Sequence, residues 1–122
     1  TGAAIATTKA LPEFKGKFDG VAIRTPVVIG SISDITFIAA RNTSAEEVNQ
    51  ILKEEAASKR YNKVVTVTNE PIVSSDIIKS PYASTVDLEM TRVVDGDLVK
   101  IMTWYDNEWG FTNQMIREIL AG

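Results

Sequence analysis

Residues Leu98–Phe111, with the sequence LVKIMTWYDNEWGF, join an apolar run to a polar turn and then to a helix. The first six of these residues predict a strand, and the apolar side chains at positions 115, 116, 119 and 120 predict one face of a helix. Between them, carboxylates adjoin aromatic side chains, although carboxylates are costly to bury and aromatics costly to expose. The spacing favours a structural strand-to-helix corner, with Glu108 at the positive end of the helix dipole. A ligand site is the alternative.

The strand that leads into this corner carries apolar residues on both faces. Leu98, Met102 and Trp104 alternate with Val99 and Ile101. A strand with two apolar faces is expected in the interior of a sheet. We therefore predict helices on one side of the sheet and a different covering on the other side, with a second subunit as one candidate.

The remaining periodicity predicts further helices and strands around this one. Helices are predicted over residues 1–11, 44–58 and about 107–120, and strands over residues 21–25, 32–40, 64–68, 84–87, 89–94 and 98–104. The order predicts an α+β fold, namely a mainly antiparallel mixed sheet with helices packed on one face in two layers. We expect residues 1–122 to form a single domain.

Three local signals support these elements. Thr43 and Glu46 have the spacing of a capping box, with Thr43 as the N-cap of the second helix. Asp95-Gly96 predicts a type I′ hairpin turn, because both central residues of that turn need a positive φ. The strands at 21–25 and 32–40 are joined by a short loop and are expected to pair antiparallel.

Composition excludes several classes of function. The chain has 122 residues, and its hydrophobic content of 44% and charged content of 24% are typical of a soluble globular domain. A net charge of −3 gives no indication of nucleic acid or of an anionic membrane as a partner. No apolar run approaches the roughly 20 residues that cross a bilayer, and no signal peptide is recognisable. The N-terminus lacks a Met, so we expect the chain to be an internal segment of a longer polypeptide.

The chain contains no Cys and no His. It therefore lacks a thiol nucleophile, and it also lacks the commonest general base and metal ligand. No cluster of carboxylates has the spacing of metal ligands, so no metal site is predicted. A self-contained Cys–His, Ser–His or His–metal mechanism is excluded for this chain by itself.

Two features suit an anion, although each has a simpler explanation. The exposed amides of Thr1 and Gly2 at a helix start can bind negative charge, because unpaired N–H groups and the helix dipole both favour it. Every capped helix has such an end. Arg24 lies near the end of its predicted strand, where an arginine is usually a solvated surface residue. It gains interest only if an anion site lies close by.

The turn at Trp104–Phe111 closely resembles the W-Y-D-N-E-x-G-[YF] segment of phosphorylating glyceraldehyde-3-phosphate dehydrogenases. Further motifs of that family recur in the family's order: T-G-A-A and L-P at residues 1–4 and 11–12, R-x-P at residues 24–26, S-[IV]-x-D at residues 31–34, and P-[LI]-V-S-S-D at residues 71–76. The resemblance covers essentially all 122 residues. It departs from the family at Phe111, where Tyr is common, and at Ile29, where a polar residue is usual.

The resemblance implies that the chain is the C-terminal part of a catalytic domain. In the family, a Cys nucleophile and a His base act upstream of the T-G-A-A helix, and a Rossmann domain further upstream binds NAD or NADP. This chain therefore contains no catalytic residue, and we expect it to be inactive and without bound cofactor when it is alone. The parent enzyme is expected to be a cytoplasmic homotetramer of glycolysis or gluconeogenesis that uses glyceraldehyde 3-phosphate and inorganic phosphate.

Site residues follow from the same resemblance, position by position. Thr1 and Gly2 match the positions that bind inorganic phosphate, and Arg24 matches the arginine between the two phosphate sites. Asn107 matches the asparagine that hydrogen-bonds the carboxamide of the nicotinamide. Two alternatives stay open: a fragment of the related erythrose-4-phosphate dehydrogenase, and a non-catalytic module that self-associates through its sheet.

Overall fold

The computed structural model of the chain describes residues 2–122. Within them it contains three α-helices, two short 3-10 turns at Pro12–Phe14 and Ser74–Ile77, and one four-stranded sheet. The helices are α1 (Gly2–Ala10), α2 (Ala45–Ala57) and α3 (Trp109–Ala121), and the strands are β1 (Ser31–Ile38), β2 (Val65–Thr68), β3 (Ser84–Val94) and β4 (Leu98–Tyr105). The predicted α+β class is therefore confirmed.

The strand order is β1-β4-β3-β2, so the two-sided apolar strand β4 is an interior strand, as predicted. It pairs antiparallel with β1, from Ser31 opposite Tyr105 to Ile38 opposite Leu98. It also pairs antiparallel with β3, while β2 runs parallel to β3. Two of the three pairings are antiparallel, which makes the sheet mixed but mainly antiparallel.

Helix α2 packs on the sheet face that carries Val99 and Ile101. Val99 is fully buried, and Val48 of α2 is nearly so. An apolar cavity of about 260 Å³ lies between this helix and strands β1 and β4. Alternate residues of a strand face opposite sides, so Leu98, Met102 and Trp104 lie on the other face.

That other face remains open to a considerable degree. Leu98 is 40% exposed, and Ile32, which pairs with Trp104, is 39% exposed. Lys100 forms a surface ion pair with Asp34 at 2.7 Å on the same face. Apolar side chains at this level of exposure, on an interior strand and its neighbour, form a surface that a partner can cover.

The hairpin between β3 and β4 has the predicted backbone. Asp95 has a φ of 52° and Gly96 a φ of 80°. Two bonds attach the turn to the connection between β1 and α2: the N–H of Thr43 donates to the carbonyl of Gly96, and the N–H of Ala39 donates to that of Asp97, both at 2.8 Å. The predicted strands 84–87 and 89–94 form one strand, β3, whose register shifts between Asp87 and Arg92.

The predicted strand at residues 21–25 is wrong. This segment has no regular structure, and Val21 and Ile23 are 88% and 83% exposed. A strand needs a neighbour for its N–H and carbonyl groups, and β1 pairs with β4 rather than with this segment. The predicted antiparallel pair of 21–25 with 32–40 is therefore wrong as well.

The predicted capping box of α2 is displaced by one residue. The cap is Ser44, whose hydroxyl accepts the N–H of Glu47 at 3.1 Å. The Thr43 hydroxyl donates instead to the Glu47 carboxylate, which also pairs with Arg41 at 2.6 Å. Two adjacent hydroxyl residues each satisfy the capping pattern in the sequence, and the Thr43 hydroxyl is engaged by the Glu47 carboxylate, which leaves Ser44 as the cap.

Candidate functional site

The site is the corner between β4 and α3, where the main chain leaves the sheet. Asn107 lies there with an exposed side chain, and its Oδ1 accepts a hydrogen bond from Ser31 Oγ at 2.8 Å. Ser31 is the first residue of β1 and pairs with Tyr105. The end of β4 and the start of β1 are therefore adjacent, and the Ser31 side chain holds the Asn107 carboxamide from one side.

Asp106 fixes the backbone of this corner from the other side. Its carboxylate is buried, with 2% exposure. Oδ1 accepts the N–H groups of Trp109 at 2.7 Å and Glu108 at 3.0 Å, and Oδ2 accepts the N–H of Lys79 at 2.9 Å. Asp106 therefore bonds to the N–H groups of the N-cap residue Glu108 and of the first helical residue Trp109, and it attaches the loop before β3 to the start of α3.

The charge state of Asp106 follows from these contacts. Burial acts to raise the pKa of its carboxyl, whereas the N–H groups of Trp109, Lys79 and Glu108 favour the ionised form. The net result is a pKa below the ordinary value. Asp106 is consequently a carboxylate at neutral pH and serves as an acceptor of hydrogen bonds.

Helix α3 is packed tightly against the loop that precedes β3. A Cβ on Gly110 would lie 2.6 Å from the carbonyl oxygen of Tyr82, so only glycine allows this approach. Further along the helix, Gln114 Nε2 donates to the Pro81 carbonyl at 3.0 Å, and Arg117 donates to the Lys63 carbonyl at 3.1 Å. The corner is therefore rigid on its helical side.

The entry to β1 is equally constrained. Gly30 has a φ of +94°, a conformation that L side chains rarely adopt. A Cβ there would lie 3.1 Å from the Ser74 carbonyl oxygen and 3.2 Å from Ile77, which is itself buried. Ser31, the next residue, is thus presented to Asn107 by a backbone that has little freedom.

The other predicted site residues share no hydrogen bond with this corner in the described part of the chain. Arg24 is exposed in the irregular segment before β1, and its side chain makes no hydrogen bond or ion pair within residues 2–122. Gly2 begins α1 and is exposed, with open space where a Cβ would project. Thr1 lies outside the described residues. The structure therefore brings Asn107 together with Ser31 and Asp106, and within residues 2–122 no hydrogen bond joins Asn107 to Arg24 or Gly2.

Sequence reasoning missed the roles of Ser31 and Asp106. The signal for Asp106 was available, since an aspartate three residues before Trp109 has the spacing of a helix cap. For Ser31 the sequence offers no such signal, because its contact depends on the register between β1 and β4. No group of three or more potential metal-ligating side chains occurs in the described part of the chain.

Comparison with known proteins identifies the family. A family model described as glyceraldehyde 3-phosphate dehydrogenase, C-terminal domain, matches residues 1–107. The chain belongs to this family. The match ends at Asn107, the residue that the structure holds at the corner.

Curated relatives agree with the family model. The chain is 47% identical over 116 residues to the glyceraldehyde-3-phosphate dehydrogenase of Zymomonas mobilis, covering 95% of this chain and 34% of that protein. It is 48% identical over 121 residues to the one of Cereibacter sphaeroides, covering 99% and 36%. The protein of the same name from Haloarcula vallismortis is 47% identical over 116 residues, covering 95% and 34%. The chain thus spans about a third of the length of these relatives.

No helix of residues 2–122 is long and apolar enough to cross a membrane.

Proposed function

We propose that this chain is the C-terminal part of the catalytic domain of an NAD- or NADP-dependent phosphorylating glyceraldehyde-3-phosphate dehydrogenase. The match of the family model over residues 1–107 carries the proposal. The reaction oxidises the aldehyde of glyceraldehyde 3-phosphate and joins the acyl group to inorganic phosphate, with the electron pair leaving as hydride. The chain has no Cys and no His, so the nucleophile and base belong to a part of the protein beyond this chain.

The role of Asn107 is to bind and orient the nicotinamide, which accepts the hydride when it is bound. The side chain fits this group because it is a carboxamide that meets another carboxamide. With Oδ1 bonded to Ser31, Asn107 still has two N–H donors on Nδ2 and a second lone pair on Oδ1. Its exposure at a rigid corner supports the proposal, since a ligand can reach the side chain without moving the backbone.

The role of Arg24 is to bind phosphate groups. A guanidinium suits this task because it offers several charge-assisted hydrogen bonds at fixed angles. The exposed position of Arg24, without an acidic partner among residues 2–122, supports the proposal because its charge is not already neutralised. We assign Thr1, together with Gly2 at the start of α1, to the inorganic phosphate, as donors of backbone and hydroxyl hydrogen bonds.

The open face of the sheet is proposed as the contact with a second copy of the chain. Its exposed Ile32 and Leu98 support this assignment. The parent protein is then a homo-oligomer, in line with the tetramer that we expect, and we propose from the family that it is cytoplasmic. Light scattering on the full-length protein tests it, and a clean monomer at high concentration would contradict it.

Assay of the full-length protein that carries this chain tests the function. We expect reduced cofactor to form only when aldehyde, oxidised cofactor and inorganic phosphate are all present. Parallel assays with glyceraldehyde 3-phosphate and erythrose 4-phosphate, each with NAD and NADP, identify the substrate and cofactor. The isolated chain of 122 residues should reduce neither cofactor. Full-length protein that is inactive with both aldehydes would refute the proposal and would favour a non-catalytic module.

A further inference from the structure

We propose that Ser31 is a positioning residue that sets the orientation of the Asn107 carboxamide. This inference rests on the proposed function, in which Asn107 contacts the nicotinamide. Ser31 touches neither the cofactor nor the substrate in this proposal, and it acts only through Asn107.

The hydrogen bond between the two side chains restrains the Asn107 carboxamide, and in the observed orientation it leaves both N–H groups of Nδ2 free. The terminal torsion of an asparagine is broad, so an exposed carboxamide normally samples two opposite orientations. In the observed orientation Ser31 Oγ donates its hydrogen to Asn107 Oδ1 at 2.8 Å, whereas a 180° rotation would make Nδ2 donate to Oγ and would occupy one of its two N–H groups. With the observed bond, Oδ1 faces β1 and the two N–H groups of Nδ2 remain available to a ligand.

Both ends of this bond are attached to constrained backbone. Ser31 follows Gly30, whose positive φ and close approach to Ser74 fix the start of β1. Asn107 follows Asp106, whose buried carboxylate holds the corner through its backbone bonds. The pairing of β1 with β4 and the backbone bonds of Asp106 therefore bring Oγ and Oδ1 together.

The hydrogen bond between Ser31 and Asn107 serves to orient the carboxamide more than to stabilise the fold. Asn107 is exposed and Ser31 is half-buried, so water competes for both groups in the folded chain. Hydrogen bonds under such competition contribute little to folding. A carboxamide that is already oriented, however, loses less rotational freedom about its terminal torsion when a ligand binds. The consequence of losing Ser31 should therefore appear in the affinity for the cofactor.

The test uses the full-length protein with Ser31→Ala and Ser31→Thr, and with Ser33→Ala as the matched control. Ser33 lies two residues further along β1 on the same face of the sheet and makes no hydrogen bond to Asn107 in the described structure. We expect Ser31→Ala to raise the KM for the cofactor about two- to tenfold, the range for one hydrogen bond. The KM for the aldehyde should stay unchanged. Ser31→Thr should restore the cofactor KM, and Ser33→Ala should leave it at the wild-type value.

Combination with Asn107→Ala separates this inference from the function on which it rests. If Ser31 acts through Asn107, then Ser31→Ala adds no further change in the Asn107→Ala background. An unchanged cofactor KM in Ser31→Ala, with a raised one in Asn107→Ala, overturns the inference but leaves the nicotinamide role of Asn107 standing. An equal increase from Ser31→Ala in both backgrounds also overturns it. An unchanged cofactor KM in Asn107→Ala overturns the nicotinamide role and the Ser31 inference together.

Discussion

Replacing Asp106 with alanine should destabilise the corner far more than a surface substitution does. The change removes the acceptor of three backbone N–H groups, at 2.7, 2.9 and 3.0 Å. Loss of the two bonds to the start of α3 should cost about 0.5–2 kcal/mol, the range for a side chain that bonds to the first N–H groups of a helix. Leaving the Lys79 N–H without a partner adds about 1–3 kcal/mol, because Asp106 is buried and water does not readily replace it. We therefore expect a loss of roughly 1.5–5 kcal/mol in local stability.

Asp106→Asn should have a smaller effect. An amide oxygen can still accept the N–H groups of Glu108 and Trp109, but its nitrogen would then face the N–H of Lys79. Only the Lys79 bond is lost in that case. The control is Asp76→Ala, which removes one hydrogen bond that the Val73 N–H donates to an exposed carboxylate at 2.7 Å.

Hydrogen exchange measured on the full-length protein tests the expected order of destabilisation, which is largest in Asp106→Ala and smaller in Asp106→Asn. Peptides that contain Lys79 and Trp109 should exchange at least about tenfold faster in Asp106→Ala, since about 1.4 kcal/mol is a factor of ten. Asp106→Asn should accelerate mainly the Lys79 peptide. Wild-type exchange at both peptides in Asp106→Ala would refute the role of Asp106.

The lowered pKa of Asp106 gives this contribution a definite pH dependence. The unfolded carboxyl titrates near its ordinary pKa, about 3.9, and the folded one below it. The contribution is therefore fully present above the unfolded pKa and is lost as the pH falls through the folded pKa. Wild-type protection of the corner should decline in acid, whereas Asp106→Ala should lack that decline.

Two further substitutions test the packing and the capping. Gly110→Ala should destabilise the protein by about 1–3 kcal/mol, in spite of the helix propensity of alanine, because its Cβ would meet the Tyr82 carbonyl at 2.6 Å. Gly20→Ala, with open space around its Cβ, is the control, and equal melting temperatures for the two variants would contradict the packing. The Arg41 hydrogen bond, with that of Thr43, lowers the pKa of Glu47 to about 2. Arg41→Ala should therefore move the Glu47 pKa towards its ordinary value in an NMR titration, and no movement would mean that the ion pair does not form in solution.

Local signals were sufficient for the elements around the corner. The apolar residues of Leu98–Trp104 fall at both odd and even positions, and this pattern correctly predicted an interior strand. Such a strand needs apolar side chains on both of its faces. The Asp95-Gly96 pair correctly predicted two positive φ angles. Both features depend on residues that are close together in the sequence.

Features that depend on distant partners were not predictable in the same way. Residues 21–25 have the composition of a strand, but no neighbouring strand pairs with them, so their apolar side chains stay exposed. The bond from Ser31 to Asn107 spans 76 positions and exists only because β1 and β4 pair in one register. Asn107 itself was reached through resemblance to a family, and its spacing alone favoured a structural corner.

The separate roles of Arg24 and Asn107 are tested most directly by steady-state kinetics of Arg24→Ala and Asn107→Ala in the full-length protein, side by side. Arg24→Ala should raise the KM values for phosphate and for the phosphorylated aldehyde while leaving that for the cofactor unchanged. Asn107→Ala should raise the KM for the cofactor and leave that for phosphate unchanged. Wild-type KM values for phosphate and aldehyde in Arg24→Ala, together with a wild-type cofactor KM in Asn107→Ala, would contradict both assignments.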